Sequence, residues 1–99
     1  MMELLFEWNV NKAKSNLQKH KISFDEAKTI FDDALIVTFP DDFHSDQENR
    51  FISIGNSSNN RILLVVHTEQ DRKKNVIVIR IISCRKATAL EREIYEQGE

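Results

Sequence analysis

The chain has 99 residues, 40% apolar and 30% charged, with a formal net charge of −2. That length suits one small domain with a single core, and the composition is too apolar for a disordered chain. No apolar run approaches the ~20 residues of a membrane span, MMELLFEWNV is acidic where a secretion signal is basic, and the lone Cys84 permits no internal disulfide, so the expected setting is cytoplasmic.

With two glycines and one proline there is no linker, and residues 1–99 read as one domain. ELLFEW (3–8) alternates Leu4, Phe6 and Trp8 with Glu3, Leu5 and Glu7, a short strand with one wet face. Asn9 or Asn11 then caps a helix over 12–20. Its apolar content is only Ala13 and Leu17, while Lys12, Asn16 and Lys19 or His20 line the other face. Ser23 to Glu26 is a capping-box pattern opening a second helix, with Phe24, Ala27, Ile30 and Phe31 on its apolar side. Asp32 and Asp33 oppose the helix dipole and should end it. ALIVTF (34–39) is a β-branched strand stopped by Pro40. After an acidic loop come strands over 50–55, 61–69 and 76–83, separated by the polar turns NSSNN and QDRKKN. Thr88 to Glu91 repeats the capping-box pattern and starts a last helix with Leu90 and Ile94 on one face. The expected fold is α+β: a twisted, mainly antiparallel sheet with N-terminal helices and a C-terminal helix, in the order β-α-α-β-β-β-β-α. The helices should cover one face and leave the other partly open.

Charge is unevenly spread. Residues 9–21 carry four lysines and no acid, residues 25–48 carry eight acids against Lys28, and residues 72–92 carry seven bases against Glu91. The two basic segments suit a polyanion if the fold joins them, and are otherwise solvated surface.

Strand alternation puts Leu63, Val65, His67 and Glu69 on one face, and Val76, Val78, Arg80 and Ile82 on one face of the next strand. The hairpin register decides whether Arg80 joins His67. Pairing Glu69 with Val76 brings all three together, and a slip of one residue separates them. An apolar core holds such groups poorly, so His67, Glu69 and Arg80 are expected on one polar face. That set suits RNA cleavage, in which a base takes the 2′-hydroxyl proton, an acid protonates the leaving 5′ oxygen and a cation stabilises the charge on phosphorus. Arg85 and Lys86 stand just before the last helix, whose N-terminus favours anions. His44 with Asp42, Asp46 and Glu48 has metal-ligand chemistry but sits on a loop without visible supporting partners, so no metal is expected. His20 reads as a helix-end surface residue and Cys84 as an inert buried thiol.

The blocks FEWNVNKAKSNLQKHKISFDEAKTIF, FPDDFHSDQENRFISIG, LLVVHTE and RIISCRKAT with EREIYE fall in that order between Phe6 and about Glu96. Together they resemble the BrnT toxins, the toxin half of bacterial type II toxin–antitoxin pairs. The resemblance implies a RelE-like ribonuclease fold and metal-independent, cofactor-free RNA cleavage that arrests growth. It also implies neutralisation by a cognate BrnA-like ribbon-helix-helix antitoxin, with operator DNA contacted only through that antitoxin. Within it, chemistry assigns Arg80 and Arg85 to phosphate, His67 as acid or base, and Glu69 as base or as the group orienting His67. Lys12 and Lys86 would position RNA. The alternative is a non-catalytic module that acts only within an antitoxin–DNA repressor complex. Two positions depart from the family pattern: the connector between Glu69 and Arg80 is longer, and Cys84 stands where a small residue such as alanine is usual.

Overall fold

The computed structural model of the chain describes residues 2–43 and 49–98. Alternation over Glu3–Trp8 forms β1, with Leu4, Phe6 and Trp8 packed against the core. The Asn9 side chain caps α1 (Val10–His20) by accepting from the Lys12 N–H at 3.0 Å. Lys21, in the left-handed region at φ 62°, closes that helix by donating its N–H to the Leu17 carbonyl. The residue that α1 buries is polar, Asn16, while Leu17 remains half in solvent. The second helix, α2 (Phe24–Ala27), is one turn long and continues as a 3-10 turn over Lys28–Asp32. Ser23 caps it as expected, accepting from the Glu26 N–H at 3.0 Å. The Glu26 carboxylate does not return the bond. It is buried, where it accepts both Nε and Nη2 of Arg61 and the Ser57 hydroxyl.

Four strands follow: β2 (Val37–Pro40), β3 (Arg50–Asn56), β4 (Ile62–Lys73) and β5 (Val76–Lys86). The sheet order is β1-β5-β4-β3-β2. The last four strands form an antiparallel meander, but β1 joins β5 in parallel, so the mainly antiparallel expectation gives way to a mixed sheet. The pairing has a hydrophobic reason: Leu4, Phe6 and Trp8 lie opposite Ile77, Ile79 and Ile81, which extends one apolar row across both strands. Ile22, Phe24, Ala27 and Ile30 cover that row together with Leu63, Val65 and Cys84. At Gly55 a Cβ would come within 3.1 Å of Ile30 Cβ and 3.3 Å of the Ile30 carbonyl, so β3 meets the 3-10 turn backbone to backbone. On the opposite face Ile54, Leu64, Val76 and Val78 are buried while Arg80 is exposed.

The final helix, α3 (Ala89–Gln97), has a complete capping box between Thr88 and Glu91. Its expected apolar stripe faces outward, with Leu90 68% and Ile94 43% exposed. Polar contacts tie it down instead: Tyr95 Oη donates to Asp33 Oδ2 at 2.5 Å, and Arg85 forks onto Glu91 at 2.8 and 2.9 Å.

Candidate active site

The β4–β5 hairpin decides the site. The polar run QDRK, expected as turn, is strand, and the turn is only Lys74–Asn75, with Asn75 at φ 64°. Lys73 faces Val76, but Asp71 faces Ile77, so Arg72 is one extra residue on β4. Without that bulge the register would place Glu69 opposite Arg80. With it, Thr68 pairs Arg80, Glu69 pairs Ile79 and His67 pairs Ile81. The expectation of one shared polar face is therefore corrected: His67 and Glu69 lie on the helix-covered face and Arg80 on the other. A second bulge at Ile82 restores the original register, so that Val66 faces Ser83 and Val65 faces Cys84.

His67 is fully buried between Phe31, edge-on at 5.0 Å, and Phe51, stacked at 6.0 Å. Its Nε2 lies 2.7 Å from Ser53 Oγ, which in turn lies 2.7 Å from Thr38 Oγ1. Its Nδ1 has no hydrogen-bond partner among the described residues and faces Glu69 Oε2 at 3.9 Å. Burial pulls its pKa down to about 4, against a smaller opposing effect of the Thr68 backbone, so the ring is neutral near pH 7. Glu69 is half-buried, and its pKa is raised first by desolvation and then by Asp71.

Arg85 has its guanidinium fork occupied by Glu91, which holds that carboxyl down to about 2. Lys86 is exposed on the strand end opposite Leu63. Arg80 has neither a hydrogen bond nor an ion pair among the described residues, and it borders an open hollow with Glu7, Trp8 and Asn9. Of the sequence candidates, then, His67 and Glu69 come together, Arg80 and Lys12 occupy neighbouring surfaces around the start of α1, and Arg85 and Lys86 stand apart at the far end of β5.

A groove near these groups was not singled out from sequence. β1 ends opposite Ile81, so residues 82–86 of β5 lack a strand on that side. α1 takes its place. Asn16 Oδ1 accepts from the Cys84 N–H at 3.0 Å, and Nδ2 donates to the Cys84 carbonyl at 2.9 Å and the Ile22 carbonyl at 3.1 Å. A side-chain amide thus completes a strand edge. Beside this joint runs a groove of about 410 Å³, with Lys12, Ser15, Lys19 and His20 from α1 facing Ile82 and Ser83 from β5. The signal available was the polar face of α1, where Lys12, Asn16 and His20 recur at one-turn spacing.

No group of three or more His, Cys, Asp or Glu side chains among the described residues has metal-binding geometry, and His44, Asp46 and Glu48 lie outside them. No helix among the described residues is long and apolar enough to cross a membrane. Compared with known protein families, residues 8–91 match the family described as "Ribonuclease toxin, BrnT, of type II toxin-antitoxin system". Among solved structures, the crystal structure of the Brucella abortus ribonuclease toxin BrnT shares the fold, with a TM-score of 0.61 at 20% identity. The alignment covers 89% of this chain and 99% of that one. A search of curated proteins gives no significant match.

Proposed function

Because this chain belongs to the BrnT family of ribonuclease toxins of type II toxin–antitoxin systems, we propose that it is an endoribonuclease that cleaves RNA by metal-independent acid–base chemistry. The observation that carries the site is Arg80: an exposed guanidinium with no partner among the described residues, on the sheet face opposite His67 and beside the start of α1 and its Lys12. A planar, permanently charged fork without a partner among the described residues suits a phosphate. In this reading Arg80 binds a phosphate of the RNA, and Lys12 and Lys86 guide the RNA backbone. His67 and Glu69 brace β3 against β4 from the covered face, and Arg85 anchors α3, so the catalytic roles first considered for these three pass to the exposed side.

The rest of the reading follows the family. The fold is of the RelE type, and residues 1–99 act as one domain in the cytoplasm. The antitoxin partner implied by a type II system is a BrnA-like ribbon-helix-helix protein, through which alone operator DNA is contacted. The test is incubation of antitoxin-free protein with RNA in EDTA, beside Arg80→Ala. Wild-type cleavage and a loss of about 10²–10³-fold in the variant are expected. Equal cleavage by both would remove Arg80 from the site. Intact RNA with folded wild type would favour the second reading, a non-catalytic module within an antitoxin–DNA complex, which draws on the separation of His67 and Arg80 across the sheet.

A further inference from the structure

Arg80 and Lys12 supply charge but no proton carrier suited to neutral pH, a task for which imidazole is the usual side chain. His67 is sealed beneath Phe31 and Phe51. Among the described residues the imidazole that reaches an opening is His20, at the end of α1, half-buried in the wall of the α1–β5 groove. Its position is fixed from below. Asn16, one turn earlier, bonds to both backbone groups of Cys84, so α1 cannot shift along β5 without breaking buried hydrogen bonds. The bulge at Ile82 reorganises the facing strand, and Ser83 lines the groove across from α1. The charged groups lining the groove with His20 are Lys12 and Lys19 of α1, while β5 contributes only Ile82 and Ser83.

We propose that this groove is the RNA-cleaving site and that His20 is its general base. The inference rests on the ribonuclease reading above and adds the group that moves the proton. His20 takes the 2′-hydroxyl proton as the O2′–P bond forms. The P–O5′ bond breaks with its electron pair on O5′, which takes a proton from water. The products are a 2′,3′-cyclic phosphate and a 5′-hydroxyl, with no change in oxidation state. Lys12 and Lys19 hold the non-bridging oxygens and Ser83 offers a hydroxyl to the sugar–phosphate. In-line attack requires a splayed ribose, so the substrate class is unpaired RNA.

The test uses antitoxin-free full-length protein, an unpaired RNA oligonucleotide in EDTA, and the variants His20→Ala and His20→Gln. Binding is measured separately with the all-2′-deoxy oligonucleotide, which cannot be cut. Both variants should lose about 10²–10⁴-fold in kcat/KM while binding the deoxy strand within about threefold of wild type. The pH–rate profile of the wild type should differ in shape from that of both variants. If Ala disturbs folding, Gln keeps the side chain's bulk and reads the same question. Should wild type cut and both folded variants cut within about threefold of it, His20 is not the base, while the ribonuclease reading stands. Should wild type leave the RNA intact, both fall together.

Discussion

Replacing Asn16 with alanine removes three hydrogen bonds with one substitution. The groups stranded are the Cys84 N–H, the Cys84 carbonyl and the Ile22 carbonyl, at residues 2% and 0% exposed, so water does not simply take over. A net hydrogen bond is worth about 1 kcal/mol and a buried unpaired group costs about 1–3 kcal/mol, which puts the loss near 3 kcal/mol. A domain of this size has roughly 5–15 kcal/mol in total. At about 4–8 °C per kcal/mol, Tm should fall by about 12–24 °C. Urea unfolding followed by circular dichroism gives the free energy, and amide hydrogen exchange gives the local effect at Cys84. A loss under about 1 kcal/mol with an equally protected Cys84 amide would refute the claim that Asn16 completes the strand edge. Asn16→Asp sharpens the test. One oxygen still accepts from Cys84, but the other is aimed at two carbonyl oxygens, so this variant should be at least as unstable at neutral pH and recover partly on acidification.

Other consequences can be checked on the same material. His67 has a folded pKa of about 4 against an ordinary value near 6.5, so the unfolded chain binds its proton first. Stability is full above the ordinary value and falls as pH drops toward 4, by on the order of 3 kcal/mol for this group; His67→Gln should show a flatter decline between pH 7 and 4. Glu91, held near 2 by Arg85, contributes above its ordinary carboxyl value and loses that contribution as pH falls through about 2. Since Arg85 is 40% exposed, solvent screening limits the pair to about 1 kcal/mol, and the stability gap between wild type and Glu91→Gln should close over that window. Gly55→Ala should cost about 1–3 kcal/mol by pressing a methyl group onto Ile30, read as a lower urea midpoint with an unchanged m-value.

Much of this fold was legible because local chemistry and tertiary structure agree. Asn9, Ser23 and Thr88 cap the helices, and the apolar alternations became β1, β4 and β5. What sequence could not resolve were features without local energetic signature. A bulge at Arg72 leaves no compositional trace, yet it moved Arg80 away from His67. The belief that a core rejects histidine failed because Ser53 and two aromatic rings accommodate a neutral one. Arg85 looked available for phosphate because Glu91, six residues on, joins it only once α3 turns back. Leu90 and Ile94 followed helical spacing, but spacing does not say which way a helix rolls when two polar ties fix it. His20 looked like a surface residue because the opposing wall, Ile82 and Ser83, comes from the far end of the chain.

The paired bulges also make the outer half of the β4–β5 hairpin sensitive to how many residues it contains. Deleting Arg72 alone would remove the bulge and let the ladder run from Lys73–Val76 directly to Asp71–Ile77, so Arg80 would stay beside Thr68. Lengthening the hairpin tip by two matched residues, one on each strand, would preserve every facing. Insertions and deletions between Glu69 and Ile77 in related chains should therefore be tolerated by parity: those that keep the arginine's facing can persist, and single-residue changes should come with a compensating gain or loss of a bulge.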